Sequence, residues 1–402
     1  MSVVTSGDPQ PVFRIDMLWT DERYRSLFIQ VIAMMVLMLG VAWLVNNAIQ
    51  NLSDLGKDFD FGFLSQPANY DINQRLIDYT SRDTNARAAA VGILNTLLIA
   101  FLGCIAATLI GVTAGVLRLS KNWLIARLMT VYVEGFRNVP LLIWILFIMA
   151  IVNEALPSPR DFRGENALEA GSFVLTNRGV YIPAPVWEAG SSIVVGVFIV
   201  SLIAIFFMRR WAKAKQVATG EQTPVFWIGL GLFFGPALIA YFAFGMPIGL
   251  EHPELKGFNF QGGIWMRDSL IALWLALSLY TGAFIAEIVR AGILSVSHGQ
   301  TEAAYALGLR PNRTMNLIIL PQALRVIVPP LISQFLNLTK NSSLAIAVGY
   351  MDATGTLGGI TLNQTGREME CILLLMAFYL IVSLLISSVM NFYNSRVKLV
   401  ER

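Results

Sequence analysis

The chain has 402 residues, 55% of them hydrophobic and 14% charged. Soluble domains carry ~25% charged residues, so this composition excludes an ordinary soluble globular protein and points to a polytopic membrane protein. The formal net charge of +3 excludes nothing as a sum; its distribution is what orients the chain.

The first 26 residues are polar and carry Arg14, Arg23 and Arg25. The apolar run behind them, Leu27–Val45, is too long for a signal-peptide core and lacks a small-residue cleavage site, so it reads as an uncleaved first span. Segments of roughly 20 apolar residues cross a ~30 Å hydrocarbon core as helices. By that criterion seven more follow: Ala89–Leu117, Pro140–Val152, Ser191–Met208, Val225–Gly245, Ser269–Val289, Ala323–Val348 and Cys371–Met390. The third span, Pro140–Val152, is short, and its pattern predicts an extension backward into Leu124–Val133, where Arg127, Glu134 and Arg137 make one half amphipathic. Two connecting loops are long, Asn46–Arg87 and the Pro-, Gly- and Asn-rich Asn153–Gly190. Neither is large enough for a separate enzyme domain, and no internal repeat is visible.

With both termini in the cytoplasm, the inside segments hold most of the Lys and Arg. They are Arg14, Arg23, Arg25; Arg118, Lys121, Arg127, Arg137; Arg209, Arg210, Lys213, Lys215; Arg290, Arg310, Arg313, Arg325; and Arg396, Lys398, Arg402. The outside segments hold the smaller set, spread over longer loops: Lys57, Arg75, Arg82, Arg87, Arg160, Arg163, Arg178, Lys256, Arg267 and Arg367. The positive-inside bias and the even span count agree. They place the polar loop Thr301–Pro321 in the cytoplasm.

That loop is the most ordered polar stretch in the chain. Ser297 and Gln300 match an S-x-x-Q capping box, which predicts a helix start. Ala303, Ala304 and Ala306 keep the helix surface small, Gly308 suits a left-handed helix end, Pro311 marks a turn, and an apolar run closes at Leu320-Pro321. Read from residues alone, this is either a capped connector or a docking element.

The spacing Glu302-Ala303-Ala304-x3-Gly308-x9-Ile318-x-Leu320-Pro321 resembles, without a gap, the EAA loop of bacterial ABC-importer permeases. Tyr132–Leu142 (YVEGFRNVPLL), Ala283–Gly292 (AFIAEIVRAG), Asn95-Thr96-Leu97, Val328–Leu331 and Lys340–Leu344 are similar to segments of the polar-amino-acid branch of that family. The likeness covers Ala89–Val152 and Ser269–Met390, and leaves out Leu27–Val45 and the pair Ser191–Met208 and Val225–Gly245. The enlarged layout resembles the larger permease subunits of general L-amino-acid transporters. The resemblance implies an all-α, type I ABC-importer permease fold with a five-helix core plus additional N-terminal and inserted helices. The corresponding division is 1–88 (tail, first span and outer loop), 89–153 (first part of the core), 154–267 (outer loop and inserted helix pair), 268–391 (second part of the core, with the coupling loop at 297–321) and 392–402 (tail).

The resemblance also assigns roles. Glu302, Ala303, Ala304, Gly308, Arg310, Leu320 and Pro321 would couple to an ATPase. Ionisable and polar groups at membrane depth are functional candidates in their own right. Asn95, Thr96, Glu287, Lys340, Asn341 and Ser342 are candidates for the translocation path, or else bond neighbouring helices or mark a span end. Glu134 with Arg137 and Glu287 with Arg290 lie three apart on one helix face and are candidate structural ion pairs.

The sequence holds no GxxxxGK[ST] phosphate loop, and no nucleophile–base set or metal cluster is visible in it. As implied by the resemblance, the chain is then a non-catalytic permease without its own cofactor, ATP and Mg being bound by a partner ATPase present in two copies. A second permease subunit, non-identical in kind, a periplasmic amino-acid-binding protein, the inner-membrane bilayer and a polar amino-acid substrate complete the set that the resemblance implies, and no nucleic acid is involved. A stand-alone secondary transporter or an intramembrane enzyme is the competing class; it would need coupling carboxylates or clustered catalytic side chains within the spans.

Overall fold

The computed structural model describes residues 17–54, 56, 59–163, 168 and 171–397. Of the basic residues used for orientation, Arg14, Lys57, Lys398 and Arg402 lie outside them, as does 398–402 of the segment 392–402. Eight helices among the described residues are long and apolar enough to cross a membrane, in agreement with the eight predicted spans.

Helix α1 (Glu22–Asp54) is apolar all round, and none of its most hydrophobic window is buried. Helix α2 (Asn85–Leu117) starts at Thr84, whose side chain accepts a hydrogen bond from the Arg87 N–H. Helix α3 (Trp123–Asn138) starts at Asn122, whose side chain accepts from the N–H groups of Leu124 and Ile125. Helix α4 (Leu141–Ala155) then follows. The backward extension predicted for the third span is thus a separate helix. Pro140 pushes the residue before it out of the helical region, and Val139 is extended (φ −113°, ψ 135°).

Helices α5 (Ser191–Thr219) and α6 (Val225–Ala243) form an antiparallel hairpin, with Phe198 set edge-on to Phe233. Short strands flank this hairpin on both sides. β1 (Val174–Thr176), β2 (Gly179–Ile182) and β3 (Ala184–Trp187) precede it; β4 (Ile248–Glu251), β5 (Glu254–Lys256), β6 (Asn259–Gln261) and β7 (Ile264–Arg267) follow it. Strands from the two sides pair antiparallel, β2 with β7 (Tyr181 opposite Trp265) and β3 with β4. The long loop Asn153–Gly190 and the segment after the hairpin thus form a small β-module, with Tyr181 stacked on Trp265 and tilted against Phe260. Burial pushes the Tyr181 phenol up, and it remains a hydrogen-bonding partner of Asn259 at 2.9 Å.

Helix α7 (Asp268–Leu294) is the hub: 67% of its apolar window is buried, against none for α1. It runs parallel to α2 across a seam of small residues. A Cβ on Gly111 would lie 2.8 Å from the Gly282 carbonyl oxygen, and one on Gly115 2.6 Å from the Ala286 oxygen. Close backbone approach over small residues is how membrane helices gain contact without a hydrophobic drive between them. Helix α8 (His298–Ala306) follows α7 after a short turn, and a helical stretch with a π-type turn at Met315–Ile319 leads into α9 (Leu320–Asn341). The chain turns back through a 3-10 segment, Ser342–Val348, and a π segment, Thr354–Thr361, into α10 (Glu368–Val397). The apolar run 323–348 is consequently not one helix.

The seam makes a direct prediction. Gly111→Val should cost about 1–3 kcal/mol through overpacking. Membrane yield and thermal stability of the solubilised subunit should fall, whereas Gly135→Ala, where a Cβ meets nothing within 4 Å, should leave both unchanged.

Candidate functional site

Helix α8 is the exposed element at one end of the bundle. Ser297 takes the extended N-cap conformation, so the predicted start is correct, but its side chain makes no capping bond. The Gln300 N–H donates to the Ser297 backbone oxygen instead. Glu302 is exposed, and its carboxylate lies 2.9 Å from His298 Nδ1 one turn earlier. Ala303 is exposed and Ala304 buried.

The helix ends as Gly308 was expected to end it. Its φ is +76°, the Gly308 N–H reaches the Tyr305 oxygen and the Leu309 N–H reaches the Ala304 oxygen. Those two bonds make a Schellman motif. A Cβ at Gly308 would meet nothing within 4 Å, so backbone conformation rather than space requires glycine there. Tyr305 and Leu307 stand exposed beside it, Leu307 at 81%.

Arg310 caps the short helix Pro311–Thr314, its carbonyl accepting from the N–H groups of Arg313 and Thr314. Leu320 and Pro321 do not close the apolar run, as expected from sequence; they open α9. A proline has no N–H to donate into the preceding turn. The Leu320 N–H bonds the Met315 oxygen five residues back, and the helix passes through Pro321 by way of this wider turn.

Near the same end, the structure gathers the four residues proposed as ion pairs into one cluster with a fifth. Glu287 is bonded by Arg118 and, at 2.9 Å, by Arg290, and Arg137 stands 3.7 Å away. Glu134 faces Arg118 at 3.6 Å. Glu287 and Arg290 pair as their spacing predicts, while Glu134 and Arg137 reach across to other helices. The cluster thereby ties the end of α2 to α3 and α7. Arg118, 9% exposed at its side chain, escaped notice because it stands at a helix exit among other basic residues. Its burial depends on α3 folding back over it.

The other path candidates lie toward the opposite end. Asn95 and Thr96 are fully buried. The Asn95 Nδ2 donates to the Gln74 and Met351 carbonyls at 2.7 and 2.8 Å, while Thr96 Oγ1 accepts from the Ala353 N–H at 2.9 Å. Ser342 is buried and donates to the Thr339 oxygen; Asn341 is half-buried and Lys340 exposed. Glu287 is therefore separate from this group.

Between α9 and α10 sits a carboxylate that the sequence reading passed over. Asp352 is fully buried; Gly355 N–H bonds its Oδ1 at 2.8 Å and Tyr379 hydroxyl lies 3.4 Å from Oδ2. The signal was a lone acidic residue followed by Thr354-Gly355, a turn-forming pattern. Gly92 on α2 lets this segment approach: a Cβ there would lie 2.8 Å from the Asp352 carbonyl oxygen.

Residues 217–399 match the family of binding-protein-dependent transport system inner membrane components. The chain is 52% identical to a glutamate/glutamine/aspartate/asparagine transport system permease protein, BztB, of Rhodobacter capsulatus, over 99% of this chain and 100% of that one. It is 44% identical to a general L-amino acid transport system permease protein, AapQ, of Rhizobium johnstonii, over 95% and 94% of the two chains. A putative amino-acid ABC transporter permease protein, YhdX, of Escherichia coli is also 44% identical, over 94% and 95%.

The arginine cluster generates a test. Glu287→Gln removes the charge that three guanidinium groups share, and should destabilise the subunit by on the order of 2 kcal/mol, less than a fully buried pair because Glu287 is partly exposed. In a double-mutant cycle with Arg118→Met, measured by thermal unfolding in detergent, the two losses should be clearly less than additive.

Proposed function

The chain belongs to the inner-membrane permease subunits of amino-acid ABC importers, and we propose that it carries polar L-amino acids, glutamate, glutamine, aspartate and asparagine among them, from periplasm to cytoplasm. In this reading α8 and both termini face the cytoplasm and the β-module faces the periplasm, as the distribution of Lys and Arg supports. A second, non-identical permease subunit completes the path. Two copies of an ATPase bind ATP and Mg, and a periplasmic binding protein delivers the substrate.

The observation that carries the reading is α8 itself. It is a short helix with an exposed face (Glu302, Ala303, Tyr305, and Leu307 just past its end), locked at its C-terminus by the Gly308 turn and joined by short connections to α7 before it and α9 after it. Such an element suits a groove on a partner and can pass that partner's displacement to two spans as a rigid body. Glu302, Ala303, Ala304, Gly308, Arg310, Leu320 and Pro321 are its coupling residues. Lys340 and Asn341 are assigned to the outer wall of the path, with Asn95, Thr96 and Ser342 fixing the backbone behind them. Glu134, Arg137, Glu287 and Arg290 hold the inner ends of the helices together, so that Glu287 stays out of the substrate route.

Two expectations test the reading in proteoliposomes containing the whole transporter. Glu302→Arg and Gly308→Val should leave membrane insertion intact while lowering binding-protein-stimulated uptake by about tenfold or more, because a valine at φ +76° distorts the turn. Normal uptake by both would refute the coupling role. Asn341→Leu should lower uptake without lowering subunit assembly, and unchanged uptake would remove it from the path.

A further inference from the structure

The end of the bundle opposite α8 carries a polar cavity of about 370 Å³, within the ~300–1,000 Å³ range of small-molecule sites. It lies between the loop that precedes α2 and the turn that precedes α10. Asp60, Gln66, Asn69, Asn85, Gln364 and Arg367 supply its polar lining.

The cavity is built before any ligand arrives. Its loop is fixed by the buried cluster of Ala68, Tyr70, Ile72 and Tyr79 against Ala88 and Val91. The Tyr79 hydroxyl donates to the Tyr70 carbonyl at 2.8 Å, and burial pushes that phenol up to about 12, so it stays a donor. The Tyr70 hydroxyl lies 2.9 Å from Thr361 Oγ1, which ties the loop to the far wall.

One lining residue has an unmet need. Asn85, the first residue of α2, is 2% exposed. Its Nδ2 donates to the Phe63 carbonyl at 3.0 Å, and because a carbonyl can only accept, that bond fixes which way the amide points. The group left over is Asn85 Oδ1, a buried acceptor with no hydrogen-bond partner. An unmet buried acceptor is costly, and a donor from a ligand would relieve it.

The charges beside it specify the donor. Asp60 holds its carboxylate in the loop by accepting from the Gly62 N–H at 2.9 Å. Glu370, 4% exposed, accepts from the Asp60 N–H at 3.1 Å and pairs with Arg367 at 3.4 Å. Glu370 is already paired with Arg367, so it is the Asp60 carboxylate, held in the loop by the Gly62 N–H, that favours a hydrogen-bonding cation near Asn85. The amides of Gln66, Asn69 and Gln364 can meet either donors or acceptors, and Arg367 favours an anionic group farther along.

We propose that this cavity is an acceptance site for a free zwitterionic α-amino acid, its ammonium on Asn85 Oδ1 and Asp60 and its carboxylate toward Arg367. The proposal rests on the reading of the chain as an amino-acid permease with this end outward. It adds a site at the mouth of the subunit, separate from the path candidates on α2 and α9.

Its test uses the purified whole transporter, free of nucleotide and binding protein. Gln364→Cys puts a thiol in the cavity lining, and Leu76→Cys, exposed at the same end but outside the lining, serves as control. L-glutamine at about ten times its Kd should slow labelling of Gln364→Cys by a membrane-impermeant maleimide about tenfold, following 1 + [L]/Kd, and leave Leu76→Cys unaffected. N-acetyl-L-glutamine, which lacks the ammonium, should give no protection, and Asp60→Asn should abolish protection by L-glutamine. Absence of protection, or equal protection by the acetylated compound, overturns the site. ATP-driven L-glutamine uptake by the parent transporter is measured in parallel. Uptake with no protection removes only the cavity assignment, whereas no uptake of any amino acid removes the reading on which it rests.

Discussion

The structure depends on the approach of α2 to α7. The glycines at 111 and 115 bring their backbones so near the carbonyls of Gly282 and Ala286 that no side chain fits between. In hydrocarbon there is no water to expel between helices, so association rests on contact and on satisfied polar groups. A seam of glycine and alanine maximises the first. The second comes from the Arg118–Glu287 cluster, which joins α2 to α7 at one end, while toward the other end Asn95 and Thr96 bond α2 to the segment after α9. The pair is therefore a rigid strut, and the remaining core helices are placed by what they attach to it.

This strut explains how a nine-residue helix could matter to the whole subunit. α8 hangs directly from the end of α7, and its exit leads through a π-type turn into α9, which itself packs on α7 through Gly292 against Ile327. A push on α8 therefore meets two helices that already touch. The Schellman end at Gly308 removes the compliant joint that a frayed terminus would introduce. The wide turn ahead of Pro321 provides the place where the two helices can adjust relative to one another, since π-type turns bend helices at a defined point.

Much of this architecture is legible in the sequence, because lipid imposes a simple rule. Every spanning segment must satisfy its own backbone, so apolar runs announce helices, and all eight were found. The helix end at Gly308 was also legible, since only glycine takes that φ cheaply. What was not legible is where long-range partners decide. Val139-Pro140 divides a run that composition reads as continuous. The β-module forms because strands separated by a helical hairpin meet, and no local pattern reports that pairing. Arg118 and Asp352 look like ordinary loop charges until α3 and the segment after α9 fold over them. Asn95 and Thr96 stand out in the sequence as polar groups within a span, yet residue type alone does not say that backbone groups of distant segments take up their bonds.

Burial within the subunit is concentrated in the strut itself. Helix α1 and the α5–α6 hairpin show little of it, as do α4, α9 and α10, while α7 is buried over most of its length. For the apolar faces turned away from the strut, removing water is the work of the bilayer. The β-module attaches more firmly, because β7 runs directly into α7 and the Arg267 N–H reaches the Gln74 side chain at 3.4 Å. Gln74 also gives its carbonyl to Asn95. One residue of the loop before α2 thus joins the module to the strut, and Asn95 carries the link on to Met351 after α9. Any movement of the helices that alters the Asn95 contact is felt in the loop that also lines the polar cavity, so the outer surface and the interior of the subunit are mechanically one piece.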